Sequence, residues 1–508
     1  MMIKKSTSIL FFMAAIFLLA SPVMAGTILV DKDLFEKIYK RQMILEKKLE
    51  KLEKSDTNIG GATDLTQEEF DEIADRLDMV ETKSILDKVR ISGSLRTRYD
   101  RFSYEKISAI NSITGLPDLT DQYDGETTET WSNRLRLDLR SDVTANIIFH
   151  GRISYFKLWG DHNFQSDAAF DGDIHSSPAS SQGALHLERA YIDYFIPHTP
   201  LSVTFGRLPT TGGPPTEYKD NTTRKSTWPM LMTSTEADGI IFNMDLNQLM
   251  GLKRGMFRIA YNKNLQDYLK AMSAKGDRSD DTRSVTAAFE MAVPGISNSL
   301  FWLSYIKVYD LRTLPEKLLP GGYVVTDKPR NSGDFDVSTV HIQFDDIFNT
   351  GIDWFGAYSH NEIMPNKNGT AITVNELFSV QVGLFSDSFN NNMGKFRAGD
   401  AIYTGLRYTI PIRAMNYPKI GFEYNYGSKY FMGGILISEG GEITNKLGIH
   451  GTAYEAYYIQ PINQKHMYLR LGAIYIEHDY YNPSLFFGTQ PESDMTEFNI
   501  YTLIDVRF

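Results

Sequence analysis

From residue 89 onward, apolar and polar positions alternate in twos. In ISGSLRTRY, Ile91, Gly93, Leu95 and Tyr99 share one face, while Ser92, Ser94, Arg96 and Arg98 share the other. WSNRLRLDLR sets Trp131, Leu135, Leu137 and Leu139 against Arg134, Arg136, Asp138 and Arg140. The same holds in IYTGLRYTIPI and YPKIGFEYNYG, where Ile402, Leu406, Tyr408, Ile420, Phe422 and Tyr424 oppose Arg407, Lys419 and Glu423. Such alternation predicts strands with one apolar and one wet face. The segments run about 9–13 residues, the length of tilted membrane-crossing strands and longer than the usual 5–6 of soluble sheets. In lipid a series of such strands has to close on itself, because an open edge leaves backbone groups unpaired in hydrocarbon.

The connections give a second signal. Strands are predicted near 89–101, 130–141, 144–157, 185–196, 201–208, 236–246, 255–264, 282–293, 298–309, 334–345, 350–361, 399–412, 417–427, 449–460, 466–478 and 497–508. Connections after even-numbered strands are short and those after odd-numbered strands long. That parity predicts an all-β, antiparallel up-and-down transmembrane barrel of about 16 strands, with short periplasmic turns and long outer loops. Counts of 14 and 18 also fit, because 362–398 is long enough to hold a further hairpin or to fold into the pore. Tyr99, Trp131, Tyr155, Tyr194, Tyr426, Tyr458 and Tyr475 lie near strand ends, as interfacial girdles require.

The last strand, EFNIYTLIDVRF, has Phe498, Ile500, Thr502, Ile504, Val506 and Phe508 on one side and ends on an aromatic. A final strand that has to pair with the first cannot fray. A terminal Phe preceded by apolar residues in twos resembles the assembly signal of bacterial outer-membrane proteins; Phe508, Val506, Ile504 and Ile500 match it.

Before residue 89 the period changes. Lys4 and Lys5, the run ILFFMAAIFLLA and the small residues Val23 and Ala25 describe a signal peptide over 1–25. Residues 26–88 form a predicted periplasmic arm. Phe35, Gln42 and Leu49 occupy one heptad position, and Ile38, Leu45 and Leu52 lie three residues later, as in a coiled-coil seam. NIGGATD breaks the pattern near 58–65, and Phe70, Ile73, Leu77 and Val80 resume it. One copy cannot bury so narrow a stripe, which predicts a homo-oligomer, with a trimer favoured. An intramolecular hairpin, or a helix lying against the main domain, also accommodates it.

Composition narrows the function. The chain has no Cys, which excludes disulfides, haem attachment and cysteine-ligated metals. Its net charge of −11 excludes a general nucleic-acid binder. The mean hydropathy of −0.29 is ordinary for a soluble protein. His175-Ser176 and His186-Leu187-Glu188 lack the spacing of a hydrolase triad, so no enzyme is expected and no catalytic residue is assigned. DLTDQYDGETTE (118–129) lacks calcium-loop spacing, and no metal or cofactor is expected.

Signal peptide, heptad arm and barrel together resemble bacterial porins. More narrowly, they resemble an uncharacterised family of porin-like proteins of Gram-negative bacteria that place a short coiled coil before the barrel. ERAYIDYFIPHTPLSVTFGRLP (188–209) resembles a hairpin recurring in many porin families, ending in a Gly-Arg pair. There, strict parity puts Arg207 with Val203 and Phe205, so it requires a bulge or the interface. The resemblance implies residence in the outer membrane, contact with lipid and the barrel-assembly machinery, and no bound nucleic acid. The predicted pore-lining residues are Arg96, Arg98, Arg134, Arg136, Arg140, Arg407, Lys419, Glu423, Arg470 and Arg507. Basic residues lead on this wall, so passive diffusion of ions or small solutes with weak anion preference is expected. The same charges could equally serve as ion pairs that hold the barrel shape. A structural or sheath barrel around a partner, such as an exported electron carrier, is the alternative function.

Overall fold

The computed structural model describes residues 89–110, 117–159, 185–224, 226–264, 281–296, 298–312, 323–325, 331–367, 370–374, 378–387, 390–432, 445–463, 466–480 and 491–508. The predicted signal peptide, the arm and its seam residues lie outside them. Sixteen strands form a closed barrel. The first eight are β1 (Val89–Glu105), β2 (Thr128–Thr144), β3 (Ile147–Leu158), β4 (Leu185–Phe195), β5 (Leu201–Arg207), β6 (Asp238–Asp245), β7 (Met256–Lys263) and β8 (Arg283–Met291). The second eight are β9 (Ser299–Arg312), β10 (Asn331–Phe344), β11 (Ile352–Pro365), β12 (Arg397–Thr409), β13 (Lys419–Gly427), β14 (Gly451–Asn463), β15 (Met467–His478) and β16 (Thr496–Arg507).

Each strand pairs with its sequence neighbours, and β16 closes on β1 with Val506 opposite Leu95 and Ile500 opposite Arg101. Short and long connections alternate without exception, so all short turns share one end. The segment 362–398 does contain a hairpin, Thr370–Val374 with Phe378–Gly383. It belongs to a small sheet with Tyr323–Val325 and Ser386–Asp387 outside the barrel wall. The wall therefore keeps sixteen strands.

Exposure inverts the pattern of a soluble protein. Leu95, Phe205, Phe242, Leu303, Ile402, Phe422, Leu471 and Ile504 are exposed on the outer face, while Arg96, Arg98, Arg134, Arg470, Glu455 and Asp505 are buried on the inner one. An apolar band this extensive around a closed wall leaves no edge and no unpaired ladder to hydrocarbon. The molecule is a membrane-spanning β-barrel.

Parts of the chain itself fold into the lumen. The described residues of the connection 208–237, after β5, reach the short-turn end, where Tyr218 donates to Asp345 in the turn after β10 and Arg507 donates to the carbonyls of Asp220 and Asn221. Trp228, Met230, Leu231 and Met232 of this segment are buried against Trp302, Ala288, Phe335 and Phe355 on β8–β11. Trp228 and Trp302 meet edge to face with ring centroids 6.0 Å apart. A second inward segment brings Lys446 and Leu447 onto β13 and β14.

Candidate functional site

The described part of the inward loop has two sides, and each uses the basic residues of the wall differently. Its tip is a single helical turn, Thr216–Lys219, whose Thr216, Glu217 and Tyr218 carbonyls accept backbone N–H groups of the residues that follow. Guanidiniums add donors to the carbonyls at its end. Arg407 donates to the Tyr218 carbonyl (2.9 Å), Arg470 to that of Lys219 (2.9 Å), and Arg507 to those of Asp220 and Asn221. Lys419 donates to the Asn221 side chain at 2.6 Å. Asp220 accepts from Arg96 at 2.8 Å and lies 3.5 Å from Arg470. Burial alone would raise its carboxyl. Arg96, Arg470 and Arg134 outweigh that and hold it well below the usual carboxylate range.

Five of the ten predicted lining residues, Arg96, Arg407, Lys419, Arg470 and Arg507, thus dock the loop. Arg98 is closed off by Asp100 at 2.7 Å and stacks over Tyr501, 4.2 Å from the ring centroid. Glu423 accepts from Lys446 and from the Tyr403 hydroxyl. Lys446 also meets Glu455, which accepts from Lys219 at 3.2 Å, so both inward segments converge on one carboxylate. Arg140 stands near the short turns, 47% exposed, beside Asp142.

Arg134 and Arg136 remain, and the structure joins them to Arg152, Glu188 and Arg189, which were not among the predicted lining residues. Between β3 and β4 the register slips: Arg152 faces Arg189, yet Ile153 faces Leu187. Glu188 is the extra residue of a β-bulge, which turns two consecutive charged side chains inward. Glu188 then lies in an ion pair 2.9 Å from Arg136 and accepts from Arg152 (3.1 Å), and Arg152 also reaches Asp138 at 2.6 Å. Arg189 donates to the carbonyl and hydroxyl of Thr211 at 2.6 and 3.2 Å. Two signals for this cluster were present. His150, Arg152 and Ser154 alternate cleanly with Gly151, Ile153 and Tyr155, and a Glu-Arg pair inside a membrane strand demands a bulge.

Between this wall and the loop lies a cavity of about 50 Å³. Arg134, Arg136, Arg152 and Arg189 line it from the wall; Thr211, Gly212, Thr216, Thr222 and Thr223 line it from the loop. The neck of the loop is pinned by Arg207, which pairs with Glu236 and, at 3.0 Å, with Asp238. Gly206, at φ +120, allows that turn; a Cβ there would stand 2.3 Å from the Ala190 carbonyl oxygen. Glu236 also binds His186 at 2.6 Å. Among the described residues, no group of three or more His, Asp or Glu is arranged to hold a metal ion.

Among solved structures, OprB of Pseudomonas putida is similar at 12% identity and a TM-score of 0.45, over 85% of this chain and 97% of that one. An anion-selective porin from Comamonas acidovorans matches at 9% identity and 0.44, over 83% and 99%. The outer-membrane channel DcaP of Acinetobacter baumannii matches at 12% and 0.41, over 83% and 97%. No curated protein matches the chain. Residues 124–506 match the family described as "Protein of unknown function (DUF3373)", and the chain belongs to that family.

Proposed function

We propose that this protein is an outer-membrane porin of a Gram-negative bacterium, which passes ions or small solutes with weak anion preference. The observation that carries the reading is the basic cavity left between the β2–β4 wall and a loop fixed elsewhere in the lumen. Passage runs beside Arg134, Arg136, Arg152 and Arg189 rather than along β1 and β16, whose basic residues hold the loop tip. Residues 208–237 occupy lumen that an enclosed protein would need, which favours small solutes over a sheath around an electron carrier. Export by the signal peptide 1–25, a periplasmic arm over 26–88 and assembly through Phe508 by the barrel-assembly machinery complete the reading.

The test is conductance of the purified full-length protein in planar bilayers. Stable single-channel steps support a porin; a folded barrel that carries no current overturns it. Trimerisation through Phe35, Ile38, Gln42, Leu45, Leu49 and Leu52 is proposed from the heptads and is read by chemical cross-linking in native membranes. A ladder ending at monomer, both for the parent and for Leu45→Asp, speaks against the seam.

A further inference from the structure

We infer that the groove between the turns after β6 and β8 binds one glycerophospholipid with an anionic headgroup, drawn from the leaflet at the short-turn end. The inference goes beyond the porin reading and stands whether or not the barrel conducts.

Three observations lead there. The first is continuity with the lipid-facing wall. Phe257 and Phe289 stand opposite each other on the outer face of β7 and β8, and Met291 continues that row toward the short turns. Met291 also lines the groove, with Leu252 from the turn after β6 and Val293, Pro294 and Ile296 from the turn after β8. A hydrogen bond from the Ala292 N–H to the Lys253 carbonyl (2.9 Å) ties the two turns together. The second is size and character. At about 400 Å³ the groove has the volume of a small-molecule site, roughly 300–1,000 Å³. Its Ile296 is exposed, as are Leu249 and Met250 on the adjoining helical turn Leu246–Met250. An acyl chain covers such apolar surface and asks for no hydrogen bond in return. The third is charge. Lys253 and Arg254 are exposed in the same turn, and among the described residues neither side chain has a carboxylate partner. The acidic residues that flank the groove in sequence are engaged elsewhere. Asp245 accepts from the N–H groups of Asn247 and Gln248, and Glu290 meets Arg258 and Arg224 inside the barrel. Arg254 is held at φ +56, where glycine is the easier residue, so the turn keeps a cation at a position that favours none. A second copy seated symmetrically on the groove would set these cations against their own equivalents, whereas a phosphate between them is matched.

The experiment is native mass spectrometry of the folded full-length protein in detergent, titrated with phosphatidylglycerol. Phosphatidylcholine of the same chains and glycerol phosphate are the comparisons. One phosphatidylglycerol retained per chain, about tenfold or more tighter than phosphatidylcholine, is expected. Lys253→Gln with Arg254→Gln should erase that preference, and Leu252→Asn with Ile296→Asn should weaken both lipids several-fold. Arg413→Gln, at an exposed cation in the turn after β12, should change nothing. The two pairs act on different parts of the groove, so either one tests the site if the other fails to fold. Equal retention of the two lipids overturns the site. So does a loss in Arg413→Gln as large as that in the Lys253 and Arg254 pair, which would reduce the attraction to general surface charge. Displacement of the lipid by an equal concentration of glycerol phosphate would leave the groove without a part and overturns it too. An oligomer that the Leu252 and Ile296 pair dissolves would give the groove to a second copy, again against the lipid. The bilayer experiment is read separately. A protein that retains the lipid but carries no current keeps the site and loses the porin reading; one that conducts but retains none loses only the site.

Discussion

Phe508 is held by its backbone as well as by its ring. Its N–H donates to the Gly93 carbonyl (3.1 Å) and its carbonyl accepts from the Gly93 N–H (2.8 Å), which adds one more rung after Arg507. The ring lies over Gly93, where a Cβ would come within 2.7 Å of the ring and 2.8 Å of the Arg136 carbonyl oxygen. Glycine therefore makes room both for the aromatic and for the neighbouring strand. Deleting Phe508 should lower the heat-modifiable, folded barrel in outer-membrane fractions, and Gly93→Val should mimic the deletion by displacing the ring. Unchanged folding in both variants removes the closing role of this residue. A second residue-scale test concerns register. Leu137 lies opposite Ile153 on the outer face, and its neighbour Arg136 reaches Glu188 inside. Leu137→Arg should cost about 2–4 kcal/mol in reversible unfolding from lipid, a penalty for charge in hydrocarbon that Arg136→Ala does not incur. Equal losses would mean that the faces are exchanged. Outward positions such as Leu95, Leu137 and Ile504 were legible in sequence because lipid asks the same thing of every one of them. The partner of an inward charge was not, because each pairing depends on which strand and which loop stand opposite.

At the scale of elements, the wall was legible and the loop was not. Strand parity and the alternation of short and long connections are repeated many times along the chain, so a local error cannot shift the whole. The segment 208–237 carries no such repetition. LPTTGGPPTEYKD reads as an ordinary outer loop, and its apolar residues Trp228, Met230, Leu231 and Met232 find their partners only once β8–β11 are assembled. By length, 362–398 could hold a further hairpin or fold into the pore. Of its described residues, Leu384 and Phe385 join the same buried cluster as Trp228, Met230, Leu231 and Met232, so described parts of both segments reach inward. The apolar anchor predicts how the loop fails. Trp228→Ala removes the indole packed on Trp302 and opens a cavity, a change worth about 3–5 kcal/mol in a packed core. Because the wall's ladders do not pass through Trp228, protease should nick 208–237 while the barrel stays heat-modifiable. Loss of the whole barrel instead would make the loop part of the wall's folding unit. Acid should not mimic this variant. A carboxyl lowered on folding stabilises above its unfolded value, and that stability is lost only as pH falls through the folded one. Asp220 lies well below 3.8, so its contribution to docking persists from pH 7 down to about pH 5. Proteolysis of the parent loop that rises sharply over that range would contradict the pairing with Arg96 and Arg470.

For the whole molecule, net charge is a poor guide to what crosses it. The chain carries −11, yet the wall of the cavity carries an excess of arginine. Only charges within a screening length of the passage act on a permeating ion, about 8–10 Å at physiological salt. On the inner face, charge was legible as a surplus but not as a location. Arg96, Arg407, Lys419, Arg470 and Arg507 spend theirs on the loop tip, whereas Arg152 and Arg189 join Arg134 and Arg136 through a bulge. Two sets of substitutions should therefore behave differently. With Arg134, Arg136, Arg152 and Arg189 changed together to Gln, the reversal potential under a KCl gradient should move from modest anion preference toward zero or cation preference. The shift should be larger at low salt, where screening is weaker. Changing Arg407, Arg470 and Arg507 to Gln removes donors to the carbonyls of Tyr218, Lys219, Asp220 and Asn221, so the first effect should be larger, noisier conductance from a loosened tip. A parent that already prefers cations would place control in the acidic outer loops. A preference abolished by the second set and untouched by the first would put the filter at the loop tip, not at the β2–β4 wall.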